Sequence, residues 1–200
     1  MNGRIILIAL GGIILQKLVV IRHCEAEGQA PTANLTHSGQ YQAKELVKFL
    51  EGMPIKKIIS SPFNRAVQSI LPFANKQNMP IEIDDRLMER VLSSENLVDW
   101  QEKLKQSFHD ENLKLTGGES SREAASRVVE LVEQLLQENE HTIALITHGN
   151  LMTLLLKHFS PTEFGFEQWK QLSNPDVYLI EKNEEIEIKR IWNPSGSLKM

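Results

Sequence analysis

Three short runs, LVVIR (18–22), KIIS (57–60) and HTIALIT (141–147), place apolar residues on consecutive positions, as strands covered on both faces do. Each is followed by a stretch with helical apolar spacing. Ala43, Leu46, Val47 and Leu50 follow the first, Phe63, Ala66, Val67, Ile70, Phe73 and Ala74 the second, and residues 151–158 the third. An α/β domain, with helices covering a mostly parallel sheet, accommodates that alternation. IEI (81–83) reads as a weaker strand, and VYLIE (177–181) with EIEIKRIW (185–192) as an antiparallel hairpin at one sheet edge.

Local signals set expected boundaries. Thr36 caps the first helix and Gly52 ends it. Ser61 and Pro62 give the second helix a cap and a proline at its first position. Residues 95–108 read as helical, 109–117 as a loop closed by Gly117 and Gly118, and Ser120-x-x-Glu123 as a capping box. The box opens a helix bearing Ala125, Val128, Val129, Val132, Leu135 and Leu136. Residues between Pro161 and Pro175 read as loop.

A chain of 200 residues suits one domain, placed at 17–192, with 193–200 as a fraying tail. The apolar run IILIALGGIIL (5–15) has eleven residues, well short of the roughly 20 a spanning helix needs. Residues 1–16 are read as an extension ahead of the domain, with a true start near Leu15 or Gln16; the competing reading is a stunted signal sequence. With 22 Lys plus Arg against 26 Asp plus Glu, the net charge is −4, so neither nucleic acid nor a membrane is an expected partner. An anionic ligand must meet a local positive cluster. The single cysteine, Cys24, excludes an internal disulfide and a multi-cysteine zinc site, and fits a reducing, cytoplasmic setting.

Such a cluster is available. Arg22 and His23 stand at the carboxyl end of the first strand, and His148 at the end of another. Arg65 lies just inside a helix that follows a third strand. If the strands are central in one parallel sheet, both imidazoles emerge at the edge where open α/β sheets hold ligands. Two guanidinium forks and two imidazoles suit a phosphate: the forks bind its oxygens and an imidazole can attack phosphorus, with no metal or cofactor required. Glu89 is the candidate proton donor for the leaving oxygen, with Asp84 and Asp85 competing. His37, His109, His141 and His158 lack a convergent setting and are read as exposed or capping. Most of Arg90, Lys103, Lys105, Lys114 and Arg122 are read as solvated helix charges, the alternative being selection of acidic substrates above the pocket.

LVVIRHCEAEGQ, LTHSGQYQA (35–43), SSPFNRAVQSI (60–70), GGES (117–120) and LITHGN (145–150), occurring in that order, resemble the histidine phosphatase superfamily, the phosphoglycerate mutase-like fold. The resemblance runs from about residue 17 to about residue 156. It implies a three-layer α/β/α domain, a nucleophile at His23, phosphate-holding groups at Arg22, Arg65 and His148, and the acid at Glu89. Gln29 stands where many relatives have a phosphate-binding asparagine, and Cys24 where the family has glycine. After Glu89-Arg90 the chain continues Val91-Leu92-Ser93, matching neither the mutases nor many phosphatases. The implied activity is hydrolysis of a small phosphomonoester through a phosphohistidine. The alternatives are a mutase-type phosphotransferase, disfavoured by only 27 residues between Glu89 and Gly117, and a weakly catalytic phospho-ligand binding protein.

Overall fold

In the computed structural model, which describes residues 16–137, 142–182 and 185–192, the predicted strand runs share one sheet. The strands are β1 (Gln16–Arg22), β2 (Ile55–Ser60), β3 (Glu82–Ile83), β4 (Thr142–Thr147), β5 (Asp176–Lys182) and β6 (Ile186–Arg190), in the order β3-β2-β4-β1-β5-β6. The first four in that order run parallel, while β5 pairs antiparallel with both β1 and β6. The mostly parallel sheet with an antiparallel edge therefore stands. The N-terminal apolar run, His141 and residues 193–200 lie outside the described residues.

Successive strand residues go to opposite faces, which explains why the central runs carry no polar interruption. Leu18, Val20, Ile143 and Leu145 pack against α3 (Trp100–His109), α4 (Ser121–Leu135) and α5 (Gly149–Phe159). Val19, Ile21, Ala144 and Ile146 pack against α1 (His37–Leu50) and α2 (Asn64–Gln77). Helices thus cover both faces, as a three-layer α/β/α domain requires.

The Thr36 hydroxyl accepts from Gly39 N at 2.9 Å. Gly52, at φ +88°, supplies the left-handed residue after α1. Both halves of the Ser120–Glu123 capping box are formed. The start of α2 differs from expectation. Ser61 N–H donates to the Ile146 carbonyl at 2.9 Å, so the chain is still paired to the sheet there, and Phe63 becomes the N-cap. Helix α3 begins at Trp100, five residues later than predicted, because the segment before it forms a cavity wall. A short helix, α6 (Phe166–Lys170), lies inside the predicted loop. Five residues are too few for periodicity, and its fixed point is the stacking of Phe166 on Trp169 with centroids 5.5 Å apart.

Candidate active site

The carboxyl ends of the three central parallel strands lie side by side. Arg22 is in register with Thr147, and Ser60 with Ile146. Pairing continues one residue beyond: His23 N–H donates to the Thr147 carbonyl at 3.0 Å, as Ser61 N–H does to Ile146. Backbone ladder bonds therefore set the positions from which His23, Ser61 and His148 project.

His23 is 8 % exposed. Its Nδ1 lies 2.6 Å from the Cys24 carbonyl oxygen. A carbonyl only accepts, so Nδ1 carries the proton and the lone pair is on Nε2. That lone pair accepts from Arg65 Nε at 3.2 Å. Burial pushes the His23 pKa down to about 3, and the Arg65 and Arg22 charges act in the same direction. The ring is neutral and its free electron pair is fixed on one atom.

Arg65, buried at 1 % exposure, reaches this point from the first turn of α2. Its Nη1 donates to the carbonyls of Gln29 and Ala30 at 3.1 and 2.9 Å, and its Cζ sits 4.9 Å from the Phe63 ring centre. Gln29 thus meets the site through its main chain; the residue lines the cavity and is exposed. Arg22 Nη1 donates to the carbonyls of Leu172 and Ser173 at 3.0 and 3.3 Å, while its Nε is buried without a partner. Gly149 makes this packing possible: a Cβ there would fall 3.0 Å from Arg22 Nε. Burial lowers the pKa of both arginines, and the Glu89 charge opposes that shift for each.

His148 is fully buried, its ring centre 5.1 Å from that of His23. It stands behind the cavity wall, with Nε2 2.8 Å from Ser61 Oγ and Nδ1 buried without a partner. Ser61 Oγ also accepts from Phe63 N at 3.3 Å. A Ser61 hydroxyl donating to Nε2 would leave the His148 proton on Nδ1. Burial, then the neighbouring His23, pushes the His148 pKa well below its ordinary value.

Glu89 lies across the amino end of α5. Its Oε1 accepts from Arg90 N at 2.9 Å and Leu151 N at 3.0 Å, and its Oε2 from Asn150 N at 3.1 Å. A carboxylate is favoured where helix amides point outward, and these bonds fix its place in the cavity wall. The competing acids are elsewhere. Asp84 caps a 3-10 turn (Asp85–Leu87) and pairs with Arg86 at 2.7 Å, a bond that holds its carboxyl below the ordinary value. Asp85 is exposed, and neither acid lines the cavity.

Arg90 is not a solvated helix charge; it lines the cavity from a buried position. At 6 % exposure it donates through Nη1 to Ser107 and Ser121 at 2.8 and 2.9 Å, and through Nε to the Glu119 carbonyl. It fastens α3 and α4 beneath the cavity. Cys24 replaces glycine without strain, because Asn78 alone among the described non-glycine residues has positive φ. The thiol is fully buried in the core and burial raises its pKa to about 12.

Several site residues were not picked out from the sequence. Asn174 Nδ2 donates to the His23 carbonyl at 2.8 Å, Ser61 holds His148, and Asn150 lines the cavity with both amide atoms buried and unpartnered. Asn150 follows His148-Gly149 directly, so LITHGN contained its signal; Asn174 lies in a loop with no periodicity to flag it.

The cavity measures about 640 Å³. Comparison with known proteins agrees with the geometry. A family profile described as histidine phosphatase superfamily (branch 1) matches residues 18–193. The chain is 27% identical over 154 residues to a probable phosphatase of Schizosaccharomyces pombe, a match covering 70% of this chain and 55% of that protein. It is 26% identical over 169 residues to glucosyl-3-phosphoglycerate phosphatase of Mycolicibacterium vanbaalenii, covering 70% and 72%. The solved structure of a mycobacterial glucosyl-3-phosphoglycerate phosphatase superposes with a TM-score of 0.69 at 21% identity, covering 88% of this chain and 97% of the other.

Proposed function

The chain belongs to branch 1 of the histidine phosphatase superfamily, and we propose that it hydrolyses a small phosphomonoester by passing the phosphoryl group through Nε2 of His23. The observation that carries this reading is a His23 Nε2 lone pair contacted by Arg65 in a cavity also lined by Arg22 and Asn150, whose Nε and side-chain amide are buried without partners, as is Nδ1 of the adjacent His148. Buried polar groups are ordinarily paired. A tetrahedral anion with several acceptor oxygens would pair the donors among them at once.

On entry of substrate, Arg65 Nε turns from His23 Nε2 to a phosphate oxygen, freeing the lone pair. Nε2 attacks phosphorus in line, and the bond from phosphorus to the ester oxygen breaks. Arg22, Arg65 and the Nδ1 proton of His148 stabilise the three non-bridging oxygens, over which the loose transition state spreads its charge. Glu89 takes the proton that the monoanionic ester brings in and gives it to the departing oxygen from Oε2, which makes only one amide bond. Water then attacks the phosphohistidine, giving a proton to Glu89, and inorganic phosphate leaves with His23 neutral again. The main chain of Gln29 serves the phosphate pocket indirectly, by holding Arg65.

The test is covalent trapping. Enzyme incubated with a substrate labelled in its phosphoryl group and quenched in alkaline denaturant should carry a base-stable, acid-labile label, and His23→Ala should carry none and turn over no ester. Label persisting in His23→Ala would move the nucleophile elsewhere.

A further inference from the structure

Beyond the arginines and histidines, the cavity changes character. Its outer half is built from Val91, Leu92, Leu97, Trp100, Leu104 and Trp169. The two indoles meet edge to face, centres 6.1 Å apart at 88°, forming a right-angled aromatic corner. Val91 is 46% exposed and Trp100 44%, among the few large apolar side chains open to solvent in the described residues. Exposed apolar surface continuous with a binding site ordinarily has an apolar occupant.

Charge in this half points the same way. Glu95, two residues before Leu97, lines it and is exposed. Arg90, its basic residue, is 6 % exposed, with Nε and Nη1 committed to protein partners and Nη2 buried without a partner. Lys103, Lys105, Lys114 and Arg122 are not part of the wall; Lys103 pairs with Asp99 and Lys114 with Glu123. A second anionic group on a substrate would find an exposed acid there and no exposed cation to receive it.

Resting on the hydrolase reading above, we propose that the outer half selects phosphate esters of uncharged, ring-bearing alcohols and rejects alcohols carrying a second anionic group. The Trp100–Trp169 corner takes the face and edge of the ring, and Glu95 repels carboxylates and further phosphates. This preference is the opposite of selection of acidic substrates by basic residues above the pocket.

The experiment compares two primary alkyl esters, 2-phenylethyl phosphate and 3-phosphoglycerate, so that the leaving oxygen is matched and the difference reads the pocket. Wild-type kcat/KM should favour the phenylethyl ester by about tenfold or more, within the range hydrophobic pockets reach. Trp100→Ala should lose most of that preference through KM, with inhibition by inorganic phosphate unchanged. Glu95→Lys should raise kcat/KM for 3-phosphoglycerate several-fold. Phosphate release with equal or greater preference for 3-phosphoglycerate would overturn the specificity while leaving the hydrolase intact. If neither ester nor p-nitrophenyl phosphate releases phosphate, the hydrolase reading falls. Calorimetry then decides the pocket: 2-phenylethylphosphonate should bind more tightly than 3-phosphoglycerate, and the reverse order would end the proposal.

Discussion

The two halves of the cavity are built on opposite principles. The inner half rests on strand ends and first helical turns: His23 and Ser61 are positioned by ladder bonds to Thr147 and Ile146, and Arg65 stands at the second residue of α2. Its side chains are buried and held by main-chain carbonyls. The outer half rests on the irregular segment before α3 and on the five residues of α6, and its apolar side chains are partly open to water. Rigid elements hold groups to the fraction of an ångström that displacement at phosphorus demands, whereas loops can vary their side chains without moving the chemistry. On the two proposals above, the inner half sets the rate and the outer half the choice of ester.

The sharpest way to break that division is Arg65→Ala. The guanidinium contacts the His23 lone pair directly and replaces nothing in the outer wall. Turnover should fall on the order of 10²–10³, the cost of removing one preorganised charge-stabilising donor, and by the same factor on every ester. Steady-state kinetics on the matched pair above would check it. A loss confined to one ester would mean that Arg65 reads the alcohol, and the halves would not be separable.

Glu89→Gln should have an effect nearly as large, but one that depends on the ester. The amide keeps an oxygen able to accept from the α5 amides, yet it has no proton to give. Alkyl phosphates, whose leaving oxygen needs that proton, should slow by about 10² or more, while p-nitrophenyl phosphate should lose far less. Equal losses on both would make Glu89 a brace for α5 and return the acid to an open question.

Gly149→Ala tests the inner packing more gently. The added methyl meets Arg22 Nε at 3.0 Å, so the guanidinium must yield by a few tenths of an ångström. About a tenfold rise in the inhibition constant of inorganic phosphate is expected, the loss of roughly 1.4 kcal/mol of binding. An unchanged constant would show that Arg22 has slack and that its position is not tightly set.

The same division explains what could be read from the sequence. The apolar runs at 18–22, 57–60 and 141–147 are long enough to fix strands, and because each delivers its polar residue immediately at the strand end, Arg22, His23 and His148 were legible from pattern alone. Arg65 followed from the strand before it, although the true cap is Phe63 and its burial came from packing that local sequence does not contain. Glu89 had no periodic element to place it among three acids. What separates it from Asp84 and Asp85 is contact with α5, more than 60 positions away. The outer wall was illegible for the same reason: Trp100 and Trp169 meet across 69 positions, and Arg90, adjacent to Glu89 in sequence, turns the opposite way into Ser107 and Ser121.

The smallest expected effect concerns stability in acid, and it too should separate the halves. In the folded chain His23 stays neutral down to about pH 3, and His148 is also shifted well below its ordinary value. In the unfolded chain both take up protons near pH 6.5. Below that pH the unfolded state therefore binds more protons than the folded state, and stability falls as pH falls until the folded pKa is reached. Carboxylates held low by partners, such as Asp84, add a loss of the same sign, but only nearer pH 4, where their unfolded counterparts protonate. Between pH 7 and pH 5 the buried pair should dominate, lowering Tm by on the order of 10 °C. His23→Gln, which cannot titrate, should flatten that slope, whereas Trp100→Ala should lower Tm uniformly and leave the slope as it is. A slope unchanged in His23→Gln would mean that the ring takes up its proton alike in the folded and unfolded chains, so that burial does not hold it neutral below about pH 6.5.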